Sequence, residues 1–384
     1  MTPEPAARVE RVPPSGIRRF FELAEERDDV ISLGVGEPDV SAPWAAREAA
    51  ITALERGRTS YTANRGRRDL RVAIAADCAE RRGVEYDPDE EVLVTAGASE
   101  GIDLACRALI DPGDTVAVAQ PTYVSYVPAV EFAGGEVCAV PTRPADGFAL
   151  TDDRLRAAGA EEADALLYCD PNNPTGARMD DEQLRGVADF AREHDLTVLA
   201  DEIYSQLVYD GEHTSIASLP GMRERTVVFD GFSKAYAMTG MRLGYTLAPP
   251  AVIRAMNRVH QYTMLSAPTT AQAAAVEALQ NCEGAVAETR QAYDRRRNYL
   301  LSRFDELGID CVRPGGAFYA FPESPWDDSE AFAEALLEAV GVAVVPGGVF
   351  GAGGDGHLRV SYATGLDELK AATARLESFL ADQG

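Results

Sequence analysis

Lysine is almost missing from this chain: of 36 lysine and arginine residues, only Lys234 and Lys370 are lysine. Long apolar runs are missing too, so no stretch is expected to span a membrane. Met1-Thr2-Pro3-Glu4-Pro5 lacks the apolar core of a secretory signal, and a cytoplasmic protein is the expectation. Histidine occurs only at 194, 213, 260 and 357, far apart and never at metal-ligand spacing, so no metal site is expected. The six cysteines (78, 106, 138, 169, 282 and 311) form no CxxC pair and read as reduced, mostly buried small hydrophobes. A GxGxxG turn is absent as well. Gly34-Val35-Gly36 runs into Glu37-Pro38-Asp39, which excludes a dinucleotide-binding reading. Positive charge is short: 62 acidic residues leave a net charge of −26. Such a surface repels nucleic acid and anionic membrane and argues against both as partners. The acid is scattered, from Glu25-Glu26 to Asp327-Asp328, and with arginine displacing lysine it resembles proteins of salt-loving organisms.

One of the two lysines sits in a conspicuous place. Lys234 lies between the β-rich Val228-Phe229-Asp230 and the glycine-punctuated Met238-Thr239-Gly240-Met241-Arg242-Leu243-Gly244. An ordinary surface lysine is replaceable by arginine, but an amine that must lose its proton and attack a carbonyl is not, because guanidinium stays protonated. Lys234 therefore reads either as an imine-forming nucleophile, the usual way a lysine holds pyridoxal phosphate, or as an ordinary surface lysine spared by chance, and the rest of the chain decides between them.

At 384 residues the chain suggests two domains. Residues 1–15 read as an arm, and Gly16 to Arg27 has helical spacing. Strands are expected at Val30–Leu33, Glu91–Thr95, Thr115–Ala119, Glu136–Val140, Asp164–Tyr168, Thr197–Ala200, Thr226–Phe229 and Leu243–Leu247. Helices are expected at Ala45–Glu55, Arg68–Arg82, Ser99–Ile110, Tyr123–Phe132 and Asp180–Glu193. Apolar strands separated by helices predict an α/β fold, its mostly parallel sheet sandwiched by helices, with ligands at the carboxyl ends of the strands. Pro268–Leu279 and the long Glu283–Leu307 are helical, the second able to bridge two lobes. Beyond Cys311, strands at Ala317–Phe321, Val342–Val345 and His357–Ser361 mix with helices at Ser329–Ala339 and Leu366–Leu380. That tail reads as a smaller α+β domain. The boundaries expected are 1–15 for the arm, 16–45 with 285–384 for the small domain, and 46–284 for the large one.

Several motifs fall at expected strand ends. Asp201 follows Val198-Leu199-Ala200; it is either a helix cap or the partner of a protonated pyridine nitrogen, with Tyr204 three residues on. Asp170-Pro171-Asn172-Asn173-Pro174-Thr175-Gly176 is either a plain turn or a rigid mount for an amide donor. Thr95-Ala96-Gly97-Ala98-Ser99 opens a helix and offers backbone N–H groups to an anion, unless Ser99 is merely a cap. Ser233 and Arg242 flank the lysine and complete a candidate phosphate cup, while Tyr123 is a stacking ring or a core aromatic. Arg359 stands inside an apolar strand, where it needs an anion: a substrate carboxylate or an internal salt bridge.

Taken in order, Ile31 to Asp39, Gly97 to Ser99, Asn172 to Gly176, Asp201 to Tyr204, Ser233-Lys234-Ala235, Arg242 and Arg359 to Thr364 resemble the aspartate aminotransferase family. These are fold-type I pyridoxal-phosphate enzymes, and the likeness to their prokaryotic class I branch covers nearly the whole chain. The resemblance implies transfer of an L-amino acid's amino group to 2-oxoglutarate by a ping-pong route. It implies that Lys234 bonds the cofactor aldehyde and later moves the Cα proton, and that Asp201 keeps the pyridine nitrogen protonated. Tyr204 and Asn173 would bond the 3′ oxygen, and Tyr123 would stack on the ring. Ala98, Ser99, Ser233 and Arg242 would hold the phosphate, joined by Tyr61 from the partner of a homodimer with shared active sites. Arg359 would grip the substrate carboxylate beside Gly36 and Asn173.

Some departures bear on substrate. Aspartate-specific relatives grip the second carboxylate with a partner-subunit arginine or a lysine in the phosphate-side turn. Here that turn is Ala98-Ser99, and Gln261 to Ser266 has no arginine. Separately, position 231 is glycine where some relatives place a phosphate-binding serine, so the cup would lean on Ser99, Ser233 and Arg242. Ile17, Tyr262 and Phe318 would make an apolar wall, which favours an aromatic or other neutral donor; aspartate stays open through Arg18 or Arg65. The rival on the same fold is a C–S or other β-lyase, because the cofactor permits several cleavages at Cα.

Overall fold

The computed structural model describes residues 4–17 and 29–383. Most of the helix expected over residues 16–27, and Arg18 with it, lies outside the described residues. The remaining strands and helices follow the apolar runs closely. A seven-stranded sheet contains β2 (Val92–Thr95), β3 (Thr115–Gln120), β4 (Glu136–Pro141), β5 (Ala165–Cys169), β6 (Thr197–Asp201), β7 (Thr226–Gly231) and β8 (Gly244–Leu247). Its order is β2-β8-β7-β6-β5-β3-β4. β8 runs antiparallel to both neighbours, and every other pairing in the row is parallel.

β2, β5 and β7 are buried at every position, as strands covered on both faces must be. Side chains alternate between two cores. Leu167, Cys169, Leu199, Val227 and Phe229 point into one; Leu166, Tyr168, Val198 and Ala200 point into the other. The flanking helices are α1 (Trp44–Glu55), α2 (Arg68–Arg82), α3 (Ala98–Leu109), α4 (Tyr126–Ala133), α5 (Asp152–Ala157), α6 (Asp181–Glu193), α7 (Pro250–Thr263) and α8 (Thr269–Asn281). Gly83, at φ 66°, ends α2 with the left-handed residue a helix terminus favours. Asp180 and Gln183 form a reciprocal capping box on α6.

The long α9 (Glu283–Glu306) leads into a second group of elements. These are α10 (Ser329–Val340), α11 (Leu366–Gln383) and a three-stranded antiparallel sheet of β11 (Val345–Pro346), β12 (Leu358–Ser361) and β9 (Tyr319–Ala320). β1 (Ile31–Ser32) pairs in parallel with β10 (Val342–Ala343), tying the early residues to the tail.

Three local expectations need correction. Tyr123 precedes its helix, which starts at Tyr126. The helix Pro250–Thr263 was not assigned from the sequence; proline at the first helical position removes no intrahelical bond and starts the helix here. The short α5, with Thr151 as its side-chain cap, also escaped the periodicity, being too short to show one.

Candidate active site

Four strand ends converge on one cavity of about 530 Å³. Its lining includes Gly36, Ala98, Ser99, Tyr123, Asn173, Asp201, Tyr204, Ser233, Lys234, Arg242 and Arg359, residues far apart in the chain. β2 delivers Ala98 and Ser99, β5 Asn173, β6 Asp201 and Tyr204, and β7 Ser233 and Lys234. Arg359 arrives from β12, so the cavity lies between the two groups of elements.

The Lys234 amine donates to the Gly36 carbonyl at 2.7 Å and stands 5.9 Å and 5.7 Å from the ring centres of Tyr204 and Phe318. Burial, helped by the like charge of Arg359, lowers it from 10.5 to about 8. A neutral, nucleophilic amine is thus accessible near neutral pH. Asp201 is held at both oxygens: one accepts from the Tyr126 hydroxyl at 2.5 Å, the other from the Ile203 amide at 3.1 Å. Burial nonetheless pushes it up to about 6, the mark of a carboxylate waiting for a cationic partner. The Tyr204 hydroxyl meets that of Tyr319 at 3.0 Å.

Arg359 is 3% exposed. Nη1 donates to Asn173 Oδ1 at 3.0 Å and Nη2 to the Gly34 carbonyl at 2.6 Å, while the guanidinium lies 4.8 Å from the ring centres of both Tyr319 and Phe350. No carboxylate pairs with it among the described residues, its Nε has no acceptor, and burial lowers its pKa. The internal salt bridge considered for it is therefore not formed there. A buried cation left in this state points to an anionic ligand.

The opposite end of the cavity suits a phosphate. Gly97, at φ 86°, precedes α3, and a Cβ on it would come within 2.8 Å of Arg242 Nη2; one on Gly244 would come within 2.5 Å of the Ala98 nitrogen. First-turn amides of a helix have no intrahelical acceptor and bind anions. Exposed Arg242 donates to the Thr239 carbonyl at 3.0 Å and has no carboxylate partner among the described residues. An anion cup at one end, an unpaired arginine at the other, and an amine with a high-pKa carboxylate between them fit pyridoxal phosphate and an amino acid.

Comparison with known proteins agrees. The family Aminotransferase class I and II matches residues 28–376. The chain belongs to this family. It is 50% identical to a putative aminotransferase, YugH, of Bacillus subtilis over 97% of both chains. It is 42% identical to an aspartate aminotransferase of Pyrococcus abyssi over 98% of both. The solved aromatic aminotransferase of Pyrococcus horikoshii superposes with a TM-score of 0.90 at 42% identity, covering 95% of this chain and 99% of that one. This class I and II aminotransferase is accordingly a pyridoxal-phosphate-dependent transaminase.

Not every expected residue joins the aminotransferase site. Tyr61 is 81% exposed and lies outside the cavity of its own chain. Of the expected apolar wall, Ile17 lines the cavity, but Tyr262 is 84% exposed and Phe318 is buried behind the lining. Arg65 turns to Asp89 and Glu90 instead. Conversely, Tyr126, Tyr319 and Glu37 line the site without having been assigned roles from sequence. Tyr126 follows Tyr123 by three residues, which hints at a shared neighbourhood. Tyr319 and Glu37, which accepts from Thr239 Oγ1, depend on long-range packing that carries no local signal.

Proposed function

We propose that this aminotransferase moves the amino group of an aromatic or other neutral L-amino acid to 2-oxoglutarate by a ping-pong mechanism in shared sites of a homodimer. The observation that carries this reading is Arg359, a buried guanidinium without a carboxylate partner among the described residues, in the same cavity as the Lys234 amine. It would orient the α-carboxylate of donor and acceptor alike, aided by Asn173 and Gly36. Asp201 would hold a proton on the pyridine nitrogen, with Tyr126 and the Ile203 amide fixing its carboxylate. Ala98, Ser99, Ser233 and Arg242 would hold the phosphate, Tyr123 would stack on the ring, and Tyr204 and Asn173 would bond its 3′ oxygen. The bound cofactor supplies the electron sink for charge developing at Cα. Lys234 would accept the Cα proton, its lowered pKa leaving a useful neutral fraction.

The neutral-donor preference rests on the absence of lysine or arginine from Ala98-Ser99 and from Gln261 to Ser266, with Ile17 on the cavity wall. The dimer rests on exposed Tyr61, together with Trp44, Ile51 and Leu54 of α1, which bare an apolar face. Tyr61 would reach the partner's phosphate cup. The sheet groups support 46–284 as the cofactor domain, 16–45 with 285–384 as the small domain, and 1–15 as an arm. A cytoplasmic, saline setting would suit the −26 charge.

The test mixes holoenzyme with single amino acids and follows loss of the cofactor's resting absorption band. Tyrosine and phenylalanine should convert it faster than aspartate, and 2-oxoglutarate should restore it. Pyruvate and ammonia released from serine or a cysteine derivative, without any such conversion, would replace this reading with a β-lyase.

A further inference from the structure

A buried ionic cluster lies on the sheet face opposite the cofactor cavity. Glu202 directly follows Asp201, and Asp230 precedes Lys234 by four residues. Strand alternation aims both away from Asp201: Asp201 falls in step with Leu199, whereas Glu202 falls in step with Val198 and Ala200, and Asp230 with Val228. Arg82, the last residue of α2, reaches both. Its Nε donates to Glu202 Oε2 at 2.8 Å and its Nη2 to Asp230 Oδ2, with all three side chains only 2% exposed.

Smaller groups complete the clasp. Ser205 Oγ and the Tyr245 hydroxyl donate to Asp230 Oδ2 at 3.3 Å and 3.1 Å, and Ser215 Oγ donates to Glu202 Oε1 at 2.6 Å. His213 stands between Glu202 and Asp170, 3.2 Å and 3.6 Å from their oxygens, so the cluster also touches the turn bearing Asn173. Buried ion clusters of this kind contribute little net stability, since apolar replacements are often neutral or stabilising. What they do provide is directional restraint. Here the restraint joins the ends of β6 and β7, the two strands that carry the carboxylate and the amine.

We propose that Arg82 is a positioning residue: by clasping Glu202 and Asp230 it sets the spacing of Asp201 and Lys234 across β6 and β7. This rests on the roles given above to Asp201 and Lys234. Misplacement of reacting groups by about 1 Å costs up to about a hundredfold in rate. Because Arg359 is untouched, that loss should fall on kcat and not on the KM of the donor.

The test compares wild-type holoenzyme with the charge-free variant Arg82→Met/Glu202→Gln/Asp230→Asn and with Arg82→Lys, which keeps the charge but not the two-pronged reach. The triple variant should fold and melt near wild type, lose about ten- to a hundredfold in kcat, hold its donor KM, and shift the pH midpoint of its cofactor absorption band. Arg82→Lys should lose kcat in the same direction and also lower Tm, because one buried carboxylate is left without its partner. Wild-type kcat and an unshifted midpoint in a folded triple variant would overturn the proposal; if the triple variant does not fold, wild-type kcat in Arg82→Lys does so. A wild-type enzyme that converts with no amino donor would overturn the site reading instead.

Discussion

Replacing Arg359 separates binding from folding. Its guanidinium has two protein acceptors, Asn173 Oδ1 and the Gly34 carbonyl, and an Nε left without one. Arg359→Lys keeps a positive charge but loses the planar fork that bonds a carboxylate at two points and the contact with Tyr319 and Phe350. Weakening one partner of a buried charge pair costs about 2–4 kcal/mol. That converts to roughly thirty- to several-hundred-fold in kcat/KM. The assay compares phenylalanine with phenethylamine, which lacks the carboxylate. Wild type should strongly prefer the acid, and the variant should lose most of that preference by slowing on the acid alone. Stability should move the other way. Arg359→Met removes a buried cation with no carboxylate partner among the described residues, so Tm should hold or rise. A large fall in Tm with the acid-over-amine preference intact would refute the reasoning and make Arg359 structural.

Lys234 should leave a signature in the apoenzyme. Burial lowers its folded-state pKa to about 8 from 10.5, so the unfolded chain binds the extra proton between those values. Stability should therefore rise from pH 8 to 10.5 by at most about 3 kcal/mol, relative to Lys234→Met; denaturation curves with coincident slopes would contradict it. The −26 charge predicts a Tm that climbs as salt shortens the screening length from about 10 Å at 0.1 M to about 3 Å at 1 M. A salt-independent Tm would remove the self-repulsion argument. Mixing impaired Tyr61→Ala dimers with inactive Lys234→Ala dimers should restore one native site, half of a wild-type dimer's activity, per mixed dimer, if Tyr61 of one chain completes the site that holds the other's lysine. No recovery after demonstrated subunit exchange would put Tyr61 outside the partner's site.

Much of the architecture was legible because the strands are unbroken apolar runs between helical periods. Asp201, Asn173 and Ser99 could be placed because strand ends gather ligands in such sheets. Lys234 was visible through the scarcity of its own kind. Tyr319 and Tyr126 were not assigned, since an aromatic in an apolar segment looks the same whether it fills a core or lines a cavity. Arg82 likewise reads as one more basic residue at a helix end, where cations are commonplace. Only the fold, which brings the end of α2 to the ends of β6 and β7, gives it two carboxylates. Tyr262, at the end of α7, is 84% exposed and lies outside the cavity of its own chain, so its apolar ring alone does not say whose pocket it walls.

The most direct test of the central claim uses the near-absence of lysine. Holoenzyme is reduced with borohydride, digested and read by peptide mass spectrometry. The cofactor's mass should appear on the peptide containing Lys234 and nowhere else. Label on Lys370, on the terminal amine, or on no peptide of an active sample would contradict the account.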